Sequence, residues 1–272
     1  MDVTSLRQRL AGTAFADLTW VSETGSTNTD LLEAARGGAP SGTVLVTDHQ
    51  SAGRGRRGRG WEDPPGSSLL VSVLLRPGPT VPPDGAHVLT MATALSVADA
   101  AADVAGLVVD IKWPNDLVVD GDGPAGYRKV AGILAESIVT GGAIDAVVVG
   151  CGLNVNWPPA ASLPAELAER ATALNHLAGR DLDRSELLAA WLEHLDRRWL
   201  AILGGQGDTV VDEYRRRLAT LGREVLVEST DRTIRGRASD VLADGRLVVG
   251  SGGSAITVAV GDVVHLRPDA PS

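Results

Sequence analysis

Residues 129–155 read KVAGILAESIVTGGAIDAVVVGCGLNV. Two β-prone runs, Lys129–Ser137 and Ala143–Val155, flank the pair Gly141-Gly142, a short connection that turns one strand back on the other. Working outward, alternating patterns predict strands at Leu18–Glu23, Thr43–His49 and Ser68–Leu75, with a helix near Asn28–Ala35 between the first two. Leu107–Trp113 reads as a further strand. Val88–Ala105 is apolar almost all round and stops before Gly106, which predicts a buried helix. After the hairpin, helices dominate. Leu188, Trp191, Leu195, Trp199 and Ile202 recur at steps of three and four, Asp183 is placed to cap that helix with Glu186 three positions on, and Gly204 lies beyond its end. A second helix is expected over Thr209–Ala219. From Arg223 to Leu266 short β-prone runs alternate with Asp244-Gly245 and Gly252-Gly253, which predicts a small β-barrel of about 45 residues. The expected fold class is α/β, a mixed central β-sheet flanked by helices, with domains at 18–221 and 222–268.

Composition narrows the function. The 272 residues carry 25 Lys plus Arg against 34 Asp plus Glu, a net charge of −9, which disfavours a general nucleic-acid binder because phosphate contacts need a basic footprint. A single cysteine, Cys151, forbids an internal disulfide and a cysteine zinc site, and fits a reducing, cytoplasmic setting. The N-terminal residues have no apolar core of a signal peptide. The apolar tract near Met91–Val109 is broken by Asp99 and Asp103, so no membrane span is expected. The five histidines show no metal-ligand spacing, and no Ser-His-Asp arrangement is apparent.

One segment contradicts the acidic average. Residues 53–60 read GRGRRGRG. Its Gly53-x-Gly55-x-x-Gly58 pattern matches a dinucleotide fingerprint, but the following RGWEDPPG cannot open the helix that would hold a pyrophosphate. Two readings stay open: a solvated basic loop, or an anion clamp. In the clamp, glycines free the backbone while Arg54, Arg56, Arg57 and Arg59 offer forked donors to carboxylate or phosphate oxygens. Four like charges should repel, so such a clamp is expected to order only around an anion. Lys112, at the end of an apolar strand and before Pro114-Asn115-Asp116, needs an anion or polar partners unless it snorkels to solvent. Gly132, Gly150 and Gly152 interrupt apolar strands, which fits close approach of a ligand or another backbone, or else bulges and tight packing. Thr24-Gly25-Ser26-Thr27-Asn28 leads into a helix and can cap it, bind a ligand, or both.

Together these segments resemble the biotin–protein ligases. The resemblance rests on Gly25–Asn28, on Gln50–Arg59 with Trp61, on Lys112-Trp-Pro-Asn-Asp116, on Lys129-Val-Ala-Gly-Ile-Leu134, and on Gly150-Cys-Gly-Leu-Asn-Val-Asn156. It runs from about Leu18 to the C-terminus. It implies a class II synthetase-like catalytic domain with a C-terminal SH3-like barrel. The implied reaction joins biotin to ATP as biotinyl-5′-AMP, then moves biotin to a lysine of a biotin carboxyl carrier domain. By motif position it gives Lys112 and Arg54 the catalytic work. Ser26, Thr27, Asn28, Gln50, Gly53, Arg54, Gly55, Arg56, Lys112, Gly132, Gly150 and Gly152 fall to biotin. Arg54, Arg56, Arg57, Arg59, Trp61, Lys112, Asn115 and Asn154 fall to ATP and the adenylate. Magnesium is implied by the triphosphate, with ligands unassigned.

Three departures stand out. Fewer than twenty residues precede the first catalytic strand, so the DNA-binding repressor role of some members is not expected here. The segment Gly121–Tyr127 reads as a loop insertion. Cys151 sits between two slot glycines and is expected to be small, buried and inert. A homodimer is permitted but not demanded. Three other readings compete: a lipoate- or octanoate-transferring enzyme of related fold, an arginine-rich nucleic-acid arm, which lacks interleaved aromatics, and a scaffold whose barrel docks a partner.

Overall fold

The computed structural model describes residues 2–121, 126–228, 233–259 and 261–265. A short helix, α1 (Val3–Arg9), precedes strand β1 (Leu18–Val21), helix α2 (Thr27–Arg36) and strands β2 (Val44–Thr47) and β3 (Ser68–Leu75). Helix α3 (His87–Ala105) then leads to β4 (Asp110–Lys112), β5 (Asp116–Asp120), β6 (Tyr127–Thr140) and β7 (Ala143–Asn154). These seven strands form one sheet in the order β1-β2-β3-β7-β6-β5-β4. Only β1 and β2 run parallel; the rest pair antiparallel, so the sheet is mixed as expected.

Helices cover both faces. On one face α2 sets Leu31, Leu32 and Ala35 against Leu74, Ala146 and Val148. On the other lie α3 and α6 (Arg184–Leu203), in the large core with Val71, Val73, Val147 and Val149. Every residue of β3 is buried, as a central strand covered twice must be. Residues Pro83–Ala105 are long and apolar enough by length and composition to cross a membrane, but 67% of the most apolar stretch is buried inside the protein. This helix packs as core, ending at Gly106 in the left-handed region (φ 68°). Two short helices, α4 (Ala165–Arg170) and α5 (Leu174–Ala178), link β7 to α6. Asp183 caps α6 as its spacing predicts: Oδ1 accepts from the backbone N–H of Ser185 at 2.7 Å and of Glu186 at 3.3 Å.

Helix α7 (Gly207–Arg217) leads to a second, antiparallel sheet: β8 (Glu224–Glu228), β9 (Thr233–Val241), β10 (Leu247–Ser251), β11 (Ser254–Val258) and β12 (Asp262–His265), in the order β11-β10-β9-β8-β12. Alternate residues of β9 are buried, the period of a strand with one face on a core. The sheet docks on the first through the Trp113 indole, whose Nε1–H donates to the Gly245 carbonyl at 2.8 Å.

Several elements differ from expectation. β4 is only three residues long, and the chain reverses through a cis Trp113–Pro114 bond into β5, a strand the Pro-Asn-Asp signal concealed. β6 begins two residues before Lys129 and runs three past Ser137, because β5 pairs with its first residues and β7 with Ala131–Thr140. Of the expected 121–127 insertion, residues 122–125 lie outside the described residues, as do 266–268 of the expected second domain.

Candidate active site

A cleft of about 690 Å³ opens where β6 and β7, the start of α2, the arginine-glycine loop and β12 meet. Its floor is the glycine pair Gly132 and Gly152, which face each other across β6 and β7. A Cβ at Gly152 would lie 2.5 Å from the Trp61 ring, and one at Gly132 would lie 2.9 Å from it and 2.6 Å from Lys129 Nζ. Gly150 makes room in the same way for the Asn28 amide. The space these glycines leave is taken by side chains of this chain rather than by another backbone, and those side chains form the walls.

The α2 end of the cleft is a polar mesh. Gln50 Oε1 accepts from the Thr27 backbone N–H at 2.9 Å and from its hydroxyl at 3.1 Å. Asn28 Nδ2 donates to the Leu134 carbonyl at 3.1 Å and to Glu136 at 3.0 Å, and Ser72 Oγ lies 2.6 Å from Asn28 Oδ1. Thr27 and Asn28 thus have their polar groups engaged internally and hold the wall. Ser26 stands at the N-cap of α2 but makes no side-chain capping bond, which leaves its hydroxyl for the cleft.

The arginine loop is closed by its own backbone hydrogen bonds. Gly55 N–H donates to the Arg59 carbonyl at 2.7 Å, and Trp61 N–H to the Gly53 carbonyl at 3.0 Å, with one 3₁₀ turn at Arg56–Gly58 between them. Arg57 takes φ 57° inside that turn. Its charges are met one by one. Arg54 pairs with Glu136 at 2.7 Å, Arg56 donates to Asn115 Oδ1 at 3.2 Å, and Arg59 and Arg57 pair with Asp262 of β12 at 2.6 and 3.2 Å. Mutual repulsion among the arginines is offset by two carboxylates and an amide that the sequence holds 59 or more positions away.

Lys112 enters at the centre, 5% exposed. Burial holds its ammonium below the ordinary lysine range, with the Asp116 carboxylate, 4.0 Å away, opposing that shift. Asp116 bridges two cations, since its other oxygen lies 2.7 Å from Lys129 Nζ. Burial alone would raise the Asp116 carboxyl; Lys129 and Lys112 outweigh it and keep the group ionised. Lys129 also stands over the Trp61 ring, 5.3 Å from its centroid. The cluster therefore holds a net positive charge above an aromatic and glycine-lined floor, a setting that binds an anion attached to a flat or apolar body.

Of the expected site residues, the cleft is lined by Ser26, Thr27, Asn28, Gln50, Arg54, Gly55, Arg56, Arg59, Trp61, Lys112, Asn115, Gly132, Gly150 and Gly152. Gly53 lies behind it, where a Cβ would meet the Trp61 carbonyl at 2.7 Å. Arg57 faces Asp262 and the Glu228 carbonyl. Asn154 is also set back from the wall. It is 1% exposed and donates to the Thr172 carbonyl at 2.9 Å, a bond that ties β7 to the segment before α5. Asp116, Lys129 and Tyr127 line the cleft without having been singled out for it. Cys151 also lines it, but its thiol is pushed up to about 12 by burial, which makes it inert.

Among the described residues no three His, Cys, Asp or Glu side chains cluster to hold a metal ion. The cleft carboxylates Asp116 and Asp262, with Glu136 behind Arg54, are engaged by lysine or arginine, and Glu169 and Glu228, which also line the cleft, are exposed and lie on separate elements. These residues do not fit a protein-held Mg²⁺.

Comparison with known proteins agrees with this geometry. Residues 21–154 match the biotin/lipoate A/B protein ligase family, and residues 220–266 match the biotin protein ligase C terminal domain. The chain is 37% identical over 274 residues to the biotin–[acetyl-CoA-carboxylase] ligase of Mycobacterium tuberculosis, covering 98% of this chain and 96% of that one. It is 36% identical over 174 residues to the bifunctional ligase/repressor BirA of Bacillus subtilis, covering 64% of this chain and 51% of BirA. Among solved structures, the Aquifex aeolicus biotin protein ligase in complex with biotin and ATP superposes with a TM-score of 0.76 at 27% identity, covering 93% of this chain and 99% of that one. With a glycine floor, a folded arginine loop and a buried lysine in one cleft, and with this likeness along nearly its whole length, the chain belongs to the biotin protein ligase family.

Proposed function

We propose that this chain is an ATP-dependent biotin–protein ligase that forms biotinyl-5′-AMP and passes biotin to a lysine of a biotin carboxyl carrier domain. The observation that carries the reading is the convergence of Lys112 with Arg54, Arg56 and Arg59 on one glycine-floored cleft. In the first step a biotin carboxylate oxygen bonds to the α-phosphorus of ATP while the bond to the bridging oxygen breaks, releasing pyrophosphate. Two anions must approach, so the need is for fixed cations rather than a nucleophilic side chain. Lys112 is buried and central, suited to touch both the carboxylate and the α-phosphoryl oxygens. Arg54, Arg56 and Arg59 would exchange Glu136, Asn115 and Asp262 for substrate oxygens, and the loop would shield the mixed anhydride from water. In the second step the carrier's amine attacks the acyl carbon, AMP leaves with the bonding electrons, and the amine loses a proton.

Ser26 and the Gln50 amide are proposed to read the ureido group, Trp61 and Asn115 the adenine, and the slot over Gly132 and Gly152 the ring and tail. Lys129 and Asp116 join the expected set, fixing charge beside Lys112. Asn154 is proposed to act on the adenylate only by holding the β7 end in place. We assign the two units to 18–221 and 222–268, the second as an SH3-like barrel, and a cytoplasmic setting with a biotin-dependent carboxylase as partner. DNA contact forms no part of this reading, and a homodimer is permitted but not demanded.

The test is exchange of labelled pyrophosphate into ATP. Exchange should depend on biotin, and Lys112→Ala should lower it by about a hundredfold or more, the order expected for removing a preorganised charge at the reacting atoms. Exchange with lipoate and none with biotin would replace this reading with that of a lipoate ligase.

A further inference from the structure

Lys112 is held in an unusual way for a buried cation. Among the described residues no carboxylate oxygen comes nearer its ammonium than the 4.0 Å of Asp116, and that carboxylate sits against Lys129 at 2.7 Å. An ammonium so deep needs a further partner. The group that meets it is an aromatic face: Lys112 Nζ lies 5.1 Å from the centroid of the Tyr127 ring, within the range of a cation–π interaction. The ring is itself fixed. Tyr127 pairs with Asp120 at the start of β6, and its ring packs edge-on against His265 of β12, with centroids 5.4 Å apart and planes at 65°.

We infer that Tyr127 is a positioning residue for Lys112, holding the ammonium by its ring face in the orientation that an incoming carboxylate and phosphate require. A carboxylate in its place would take one N–H and offset the positive charge. A ring face stabilises the ion from one side and leaves the N–H donors free for anionic oxygens. Burial pushes the phenol up to about 12, so the ring meets Lys112 as a neutral quadrupole. Tyr127 also connects the lysine to the second sheet through His265, so the site is completed by both sheets.

This inference rests on the ligase reading for the role of Lys112, and two measurements separate them. In biotin-dependent pyrophosphate exchange, Tyr127→Leu should lower kcat roughly tenfold with KM for ATP changed less than about threefold, while Tyr127→Phe, which keeps the ring, should stay within about twofold of the parent. Equal kcat for Tyr127→Leu and the parent overturns the inference, and so does a loss in Tyr127→Phe as large as in Tyr127→Leu, since the ring would then not be the active part. The second measurement needs no turnover. The Lys112 side-chain NMR signals should carry an upfield ring-current shift that persists in Tyr127→Phe and disappears in Tyr127→Leu. If the parent shows no exchange, the ligase reading falls, and the ring-current shift still decides by its presence or absence whether Tyr127 holds Lys112.

Discussion

Gly150 shows how a single hydrogen atom in place of a methyl group can shape a binding wall. It faces Ser72 across β3 and β7, and an added Cβ would take the space of the Asn28 amide oxygen. Asn28 links α2 to the Leu134 carbonyl and to Glu136, which in turn holds Arg54. Gly150→Ala should therefore expel that amide and weaken biotin binding by about tenfold, the equivalent of one or two lost hydrogen bonds, without unfolding the protein. Calorimetric titration with biotin checks this, and an unchanged affinity would show that Asn28 does not support the wall. At this scale the sequence was informative for residue types with costly placement: a lysine closing an apolar strand and glycines inside strands. It placed Asp116 and Lys129 in motifs and Tyr127 at the end of a loop insertion, but gave none of them a role in the site. A lysine opening a strand and an aspartate in a turn each have an ordinary solvated use, and only pairing of β5 with both β4 and β6 sets them around Lys112.

Elements with local signals were legible, and those without were not. The α6 cap is the clearest case, since Asp183, Glu186 and the apolar face all lie within a few turns of one another. Asp183→Ala should cost about 1 kcal/mol by leaving two backbone N–H groups without their carboxylate. A fall in the urea midpoint with an unchanged slope is the expected sign, whereas an unchanged midpoint would mean that water replaces the cap at no cost. β3 was read to the residue because its ends coincide with turn chemistry. β5 was concealed, being five residues long and beginning at the last residue of a turn signal. The arginine loop shows the same limit from the other side. Its composition identified charge and backbone freedom, but its order comes from Asn115, Glu136 and Asp262, which no local window contains.

At the scale of the whole molecule, the second sheet touches the site through β12, and one consequence is pH dependence. Burial, then the Lys112 charge, pushes His265 down to about 4 from 6.5, while its Nε2 lies 3.1 Å from Thr220 Oγ1. The folded protein keeps this ring neutral where the unfolded chain has begun to take up a proton. Its contribution to stability is therefore fully present above about pH 6.5 and is lost as pH falls toward 4, amounting to about 3 kcal/mol. Unfolding by urea between pH 4 and 7 should show a steeper acid loss in the parent than in His265→Gln, and parallel curves would remove His265 as the source. The sequence alone determined the α/β class, the order of the longer helices and strands, the acidic chain with one basic island, and the motifs that resemble biotin–protein ligases, because periodicity, caps, turns and motif spacing are local. Tertiary structure alone decided which carboxylates neutralise the arginines, which side chains fill the spaces left by glycines, and that an aromatic ring from β6 lies beneath Lys112. Those partners stand tens to hundreds of residues apart, and sheet pairing and burial bring them together.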